Sequence, residues 1–355
     1  MKKIISLFVC AAMAAAFATA FSGCSSDYVG EVNVYNWGLY MPDGTEGSMD
    51  VLKEFEKQYK IKVNYKEFDS NEAMYAELKP GNNSYDVIVP SDYMISRMIE
   101  EDMLEKINFD NVPNYKNIMD DYKNAVYDPT GEYSVPYTWG TVGIIYNKTM
   151  VSGTVDSWDI LWDEKYKDNI LMFDNSRDAF GIALKKLGYS QNTTNEKELE
   201  AAAEELKKQK PLVQAYVMDQ IFDKMEKGEA AVAPYYAGDA ITMIDENPDL
   251  AFAIPKEGTN RFVDAMVIPK GAPNKENAEK FINFLCEGEI AAEICDYIGY
   301  STPNQAAYDL LDEEMKSNPI AYPSEDLLAN TEFFINLPSA INQKLQDLWL
   351  EVKTA

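Results

Sequence analysis

The sequence contains no histidine, and this absence removes several kinds of enzyme at once. Ser-His-Asp triads and Cys-His pairs need an imidazole to take and return a proton. Zinc sites built on imidazole ligands are excluded for the same reason. No glycine-rich phosphate loop follows a predicted strand, and no EF-hand spacing of acids appears. The sequence therefore predicts no catalytic residue set, no metal site and no cofactor.

Cysteine is also scarce, with four residues in a chain of 355. Cys10 and Cys24 lie near the N-terminus, whereas Cys286 and Cys295 share a helical stretch. The second pair is compatible with a disulfide and equally with two buried free thiols. Neither interpretation indicates a redox site.

Basic residues are few, since 32 Lys and Arg stand against 59 Asp and Glu, a formal net charge of −27. This balance argues against nucleic acid as a partner, because such binding depends on neutralising phosphates with basic side chains. A negative field attracts cations and speeds their arrival. Acidity also serves solubility alone, so it permits a cationic ligand without proving one.

The N-terminal segment is typical of a lipoprotein signal peptide. Two lysines precede an apolar run at residues 4–20, and small residues then precede Cys24. This order marks a secretory signal, and the run falls short of the ~20 residues that span a bilayer. We expect residues 1–23 to be removed and residues 24–31 to form a tether anchored by lipid on Cys24. The alternative is the signal of a soluble secreted protein with an incidental cysteine.

This assignment places the mature protein outside the cytoplasm, at the outer face of the cytoplasmic membrane, on the cell surface or in the periplasm. Two or more acyl chains on one cysteine suffice for stable anchoring.

Beyond the tether, apolar strand patterns alternate with amphipathic helical patterns. This rhythm predicts an α/β fold with mostly parallel sheets flanked by helices, and the length suffices for two lobes. An interruption is expected at Trp139-Gly140, between two extended segments. The predicted strands cover residues 32–36, 61–65, 86–89, 134–137, 142–146, 170–173, 230–233, 250–254 and 262–268. The predicted helices cover residues 49–59, 72–78, 93–101, 177–187, 196–208, 239–246 and 274–285, the last of which starts a pair of helices.

Aromatic and polar side chains follow the predicted strands, where ligands bind in open α/β sheets. They are Trp37, Tyr40, Ser91, Tyr93, Asp174, Asn175, Asp178, Tyr235, Tyr236 and Asp239. Tyr300 lies in a loop after Ile298-Gly299, and Asp264 lies within an apolar strand, where an unpaired carboxylate is costly.

Each of these residues also has a simpler interpretation. Strand-end aromatics often fill a core, Ser91 and Asp239 suit helix caps, and Asp178 suits a surface ion pair. What favours a binding site is the repetition of acids and rings with few basic residues among them.

Acids and rings together suit an organic cation with an apolar middle. An ammonium group ~4 Å from a carboxylate gains roughly 4 kcal/mol at an effective dielectric near 20, before desolvation. Each cation–π contact adds about 0.5–2 kcal/mol. Such contacts are compatible with micromolar binding or tighter, about −8 kcal/mol. No reaction is required.

At these positions the sequence resembles the polyamine-binding proteins of bacterial ABC importers, the spermidine/putrescine receptors. The matching segments run in order over nearly the whole mature chain, at residues 34–37, 69–72, 85–91, 135–140, 186–190, 192–194, 254–258, 282–285 and 298–304. The resemblance implies a type II periplasmic-binding-protein-like fold with a ligand cleft between two discontinuous lobes. Lobe 1 would comprise residues 32–138 plus about 256–303, and lobe 2 residues 139–255 plus about 304–355.

The resemblance also implies a role for the site residues. Asp264 and Asp178 would each contact an amine of the ligand. The walls and aromatic box around them would comprise Trp37, Tyr40, Ser91, Tyr93, Tyr236, Phe262 and Tyr300. The closed, loaded protein would act as a monomer and dock on an ABC permease with its ATPase.

Several positions depart from the pattern and bear on which polyamine is bound. Asn175 falls where spermidine-type members carry an acid, Tyr236 replaces a tryptophan, and Phe334 falls near the place of a glutamine. Asp239 and Phe262 instead look like putrescine-type members. These differences favour putrescine, with spermidine as a weaker ligand unless water or Asp174 replaces the lost contact.

Two other interpretations stay open at this point. One is a receptor of the same fold for a different cationic solute. The other is a secreted hydrolase that uses Asp178 and Asp264 as acid and base, since paired carboxylates can do such work.

Overall fold

A computed structural model describes residues 28–81 and 84–355. The predicted signal peptide and Cys24 lie outside these residues, so the lipid anchor stays a prediction. The strands are β1 Gly30–Trp37, β2 Ile61–Phe68, β3 Val87–Ile88, β4 Leu104–Glu105, β5 Ser134–Asn147, β6 Ile170–Phe173, β7 Val213–Val217, β8 Val232–Tyr236, β9 Leu250–Ala253 and β10 Arg261–Pro269.

Helices of the described residues follow most of these strands. They are α1 Val51–Tyr59, α2 Asn71–Leu78, α3 Asp92–Glu100, α4 Ser176–Lys186, α5 Glu196–Gln209, α6 Gln220–Glu226, α7 Ala237–Glu246, α8 Lys275–Leu285, α9 Gly288–Ile298, α10 Gln305–Leu310, α11 Glu313–Ser317, α12 Glu325–Leu328 and α13 Ser339–Thr354. None of them combines the length and the apolar character that crossing a membrane requires.

The strands pair in the order β2-β1-β3-β10-β5-β8-β6-β7, with β4 beside β10 and β9 beside β5. Pairing is parallel at both ends of this order, where β1 joins β2 and β3 and where β6 joins β7 and β8. In the middle, β10 runs antiparallel to both β3 and β5, and β5 runs antiparallel to β8. The predicted α/β fold is confirmed, with two parallel ends and an antiparallel centre.

Strand β5 continues through Trp139 and Gly140, so the interruption predicted there is wrong. Val263 of β10 pairs with Trp139, and Phe262 pairs with Gly140, which keeps the ladder intact across this point. The first part of β5 pairs with β10 and its later part with β8. The proposed lobe boundary at residues 138 and 139 falls inside this shared strand, and the division into two lobes stays a prediction.

Helices cover both faces of β1, and the alternation of its side chains explains why. Val34 is fully buried with Phe55 of α1 and Phe281 of α8, whose ring centroids lie 5.0 Å apart. The adjacent Tyr35 points to the other side, into a second cluster with Met94 of α3. Period-two packing of this kind fixes the strand between two helical layers. The carboxyl end of β1 borders the site described below.

Cys286 and Cys295 are both buried free thiols. Burial raises the pKa of each thiol to about 12, which keeps them protonated and unreactive. Of the two interpretations open for this pair, the structure therefore supports free thiols in the core.

Candidate ligand-binding site

The carboxyl ends of several strands border one cavity of about 720 Å³, counted out to its open mouth. All eleven candidate residues line it: Trp37, Tyr40, Ser91, Tyr93, Asn175, Asp178, Tyr236, Asp239, Phe262, Asp264 and Tyr300. The fold thus brings together residues that are far apart in the chain, such as Trp37 and Tyr300. Their role in binding stays a prediction.

Asp264 lines this cavity and is 4 % exposed. Its Oδ1 accepts a hydrogen bond from the Ser91 hydroxyl at 2.6 Å, and its Oδ2 accepts one from the Tyr40 hydroxyl at 2.7 Å. Burial raises the pKa of Asp264 to about 6, against the lowering effect of both hydroxyls. Ser91 precedes α3 but makes no side-chain cap there, so its hydroxyl serves Asp264 instead.

A bulge in β10 accompanies this arrangement. The register with β5 shifts between Asp264 and Ala265, because Asp264 pairs with Thr138 whereas Ala265 pairs with Pro136. Bulges re-aim side chains and are common beside functional sites. The bulge lies at the one carboxylate of β10, which lines the cavity.

Asp178 lies in the first turn of α4 and is buried rather than paired at the surface. Its Oδ2 accepts hydrogen bonds from Asn175 Nδ2 at 2.6 Å and from the Tyr236 hydroxyl at 2.8 Å. Asn175 also caps the helix, since its Oδ1 accepts the Asp178 backbone N–H at 2.8 Å. Burial raises the pKa of Asp178, and these neutral donors lower it. Donors fixed by the helix start thus orient a carboxylate toward the cavity.

Asp239 supplies a third carboxylate, half-buried, from the first turn of α7. Burial raises its pKa to about 8, the hydroxyl of Tyr300 lowers it, and the charges of Asp219 and Asp264 raise it further. Tyr236, not Asp239, precedes the helix as its N-cap residue. The capping interpretation of Asp239 is therefore wrong, and its carboxylate is free to face a ligand.

Four rings form a connected aromatic wall. The ring centroids of Tyr40 and Tyr300 are 5.1 Å apart, those of Phe262 and Tyr300 are 6.2 Å apart, and those of Tyr236 and Phe262 are 5.5 Å apart. All three pairs meet edge to face, which is a favourable aromatic geometry. Such rings offer faces to methylene groups and to cations.

Gly238 makes room for this wall. A Cβ at this position would lie 2.0 Å from the ring of Tyr300, so any other residue would displace that ring. The sequence feature that permits the aromatic wall is therefore a glycine inside α7, where glycine otherwise weakens a helix.

Sequence reasoning missed other residues that line the cavity. They are Gly38, Ser70, Asn71, Glu72, Asp92, Met218, Asp219, Tyr235, Asn260 and Phe334, of which Tyr235 and Phe334 were noticed but not selected. Asp219 follows β7, a strand that was not predicted, although the alternation Val213, Ala215, Val217 is a usable signal. Asp174 does not line the cavity and pairs with Lys353 at 2.5 Å.

The cavity is strongly anionic. Six carboxylic acids line it, and none of the described residues around it is a lysine or an arginine. Within the described ranges, no group of acids and cysteines has an arrangement that could hold a metal ion. The arrangement suits a positively charged organic molecule whose charged groups meet carboxylates and whose methylenes meet rings.

A cavity of this kind, at the ends of strands in an α/β fold, is where such folds bind ligands, and its lining is that of a protein that binds a cationic solute. Residues 50–323 match the family described as bacterial extracellular solute-binding protein, and the chain belongs to this family. The family places the protein outside the cytoplasm, and its members bind solutes for transport.

Individual relatives agree with this assignment. The chain is 38% identical over 322 residues to the spermidine/putrescine-binding periplasmic protein of Escherichia coli, covering 90% of this chain and 91% of that protein. A solved ABC transporter structure from Listeria monocytogenes has a TM-score of 0.87 at 41% identity, covering 91% of this chain and 98% of the other. The spermidine/putrescine ABC transporter substrate-binding protein PotD from Streptococcus pneumoniae has a TM-score of 0.76 at 37% identity, with the same coverage.

Proposed function

We propose that this protein captures a polyamine outside the cytoplasm and delivers it to an ABC permease and its ATPase, without converting it chemically. The observation that carries the proposal is the cavity itself, which Asp178, Asp239 and Asp264 line together with an aromatic wall, and which no basic side chain of the described residues lines. The name of the similar Escherichia coli protein gives the same ligand class. The binding residues are the eleven candidates that line the cavity.

Putrescine is the preferred ligand in this proposal. Asp239 and Asp264 supply two carboxylates to the same cavity, and the charge of Asp264 raises the pKa of Asp239. A diamine can neutralise both at once. Asn175 stands where the resemblance to spermidine-type members implies an acid, so a third ammonium has one counter-charge fewer in this cavity.

Isothermal titration with putrescine, cadaverine, spermidine, spermine and betaine tests both points. We expect putrescine to bind with a Kd of about 1 μM or tighter, spermidine to bind more weakly, and betaine, which carries its own carboxylate, not to bind. At a hundredfold excess over Kd, the ligand should stabilise the fold by about 2.7 kcal/mol. Absence of heat with every polyamine would contradict the proposal and leave a receptor for another solute or a carboxylate-dependent hydrolase.

The proposal includes a lipid anchor on Cys24 and action as a monomer. Cys24→Ala should move the protein from the membrane fraction to the soluble extracytoplasmic fraction, because the acylated side chain is lost. Cys10→Ala is the matched control, since it removes a cysteine from the same segment and should leave the protein on the membrane. Membrane association that survives Cys24→Ala would exclude the lipid assignment.

A further inference from the structure

Glu72 is a carboxylate of this cavity that the proposed function has not yet used. It lies in the first turn of α2, and its Oε1 accepts a hydrogen bond from the Tyr93 hydroxyl at 2.9 Å. Burial raises its pKa, and the charge of Asp178 raises it further. Among the described residues Glu72 forms no ion pair, although the charge of the buried Arg177 lowers its pKa.

Arg177 is a buried cation that lies over the Tyr93 ring, 5.7 Å from its centroid, but its hydrogen bonds are made to groups other than Glu72. Its Nη2 donates to Asn192 Oδ1 at 2.9 Å and to the Ile335 carbonyl at 3.2 Å. Its guanidinium also lies over the ring of Phe334, 4.4 Å from the centroid. The charge of Arg177 lowers the pKa of Glu72 only as the weakest of several influences.

Asp239, Asp264, Asp178 and Glu72 line the same cavity. The charge of Asp264 raises the pKa of Asp239, and the charge of Asp178 raises the pKa of both Asp264 and Glu72. A diamine has two ammonium groups to pair with these acids, whereas a linear triamine has a third.

A second cavity of about 800 Å³ begins where the ligand cavity ends, and Glu72 and Tyr93 line both. Beyond them stand three cationic side chains, Lys79, Arg97 and Arg177. Glu101, the other acid there, is already paired with Arg97 at 3.0 Å. An ammonium group is repelled from this second cavity, so a polyamine that reaches this end stops at Glu72.

We infer that Glu72, together with Asp178, anchors the third ammonium of a triamine of the spermidine type, and so replaces the acid that Asn175 lacks. This inference rests on the proposed polyamine function and names a residue that decides between ligands of that class. A diamine held by Asp239 and Asp264 does not need Glu72.

Titration of Glu72→Gln with spermidine and with putrescine tests the inference. Glutamine keeps the size of the side chain and can still accept the Tyr93 hydroxyl, so only the charge is lost. We expect at least a tenfold loss of affinity for spermidine and less than a threefold loss for putrescine. Glu72→Asp, which keeps the charge on a shorter side chain, should recover most of the spermidine affinity.

Glu276→Gln is the matched control for the effect of net charge on binding. Glu276 is exposed on α8, and its substitution removes one negative charge, as Glu72→Gln does. It should leave both affinities unchanged. Unaltered spermidine binding by Glu72→Gln, or equal losses for both ligands, would overturn the role of Glu72. If the unmodified protein binds neither polyamine, the proposed function fails instead.

Discussion

Asp264→Asn is expected to weaken putrescine binding by more than a hundredfold. The pKa of Asp264 is about 6, so at pH 7 its carboxylate is mostly ionised and can take an ammonium group. Removing one partner of a buried, hydrogen-bonded charge pair costs about 2–5 kcal/mol, much of it from the charge left unpaired. At about 3 kcal/mol the loss exceeds two powers of ten. Isothermal titration of the purified variant measures it.

The ligand-free variant should be at least as stable as the unmodified protein, because a buried charge costs free energy in the folded state. Thermal unfolding without ligand checks this point and separates lost binding from lost folding. Asp245→Asn is the control, since Asp245 is exposed on α7 and carries the same charge. An affinity of Asp264→Asn within threefold of the unmodified protein would exclude Asp264 as an amine anchor.

Predicting the fold from the sequence succeeded where one period dominates a segment. Strand β6 was predicted with its observed bounds because Ile170, Leu171, Met172 and Phe173 are all fully buried and read as one apolar run. Strand β7 was missed because only Val217 of its five residues is buried and Gln214 interrupts the apolar residues, which weakens the apolar signal. Local patterns also cannot show which strand returns beside which, so the antiparallel centre of the sheet was not foreseen.

The candidate site followed from a positional rule rather than from a motif. Looking just beyond strand ends found Trp37, Ser91 and Asp178, because the fold brings those ends together. It could not find the hydrogen bonds that orient Asp264, which join residues far apart in the chain. Nor could it select Glu72, whose charged side chain at a helix start resembles an ordinary favourable interaction with the helix dipole.

Putrescine affinity is expected to fall roughly a hundredfold between pH 8 and pH 6. In the ligand-free protein the pKa of Asp239 is about 8 and that of Asp264 about 6, both raised by burial. Alkylammonium groups resemble lysine and stay charged throughout this range. A dication needs ionised carboxylates, so each pH unit below the pKa of Asp239 costs about tenfold in affinity. Binding at pH 7 should release close to one proton.

Titrations at pH 7 in two buffers of different ionisation enthalpy measure the released proton, and titrations from pH 5 to pH 9 measure the slope. The Asp239→Asn variant should bind putrescine more weakly than the unmodified protein at pH 8. It should release less than half as many protons on binding, and its affinity should depend little on pH above 7. A flat affinity profile of the unmodified protein, without proton release, would mean that Asp239 is not an anchor.

The stability of the ligand-free protein should change with pH in the opposite direction. Both carboxyl groups have folded-state pKa values above the unfolded value of about 3.9, so the folded protein binds more protons. Their contribution to stability is therefore complete below about pH 4 and is lost as the pH rises through 6 and 8. Saturating putrescine should reverse this loss, because its ammonium groups replace the missing protons. Unfolding free energies of the protein and of Asp239→Asn at pH 5 and pH 8, with and without putrescine, measure how far the ligand substitutes for bound protons.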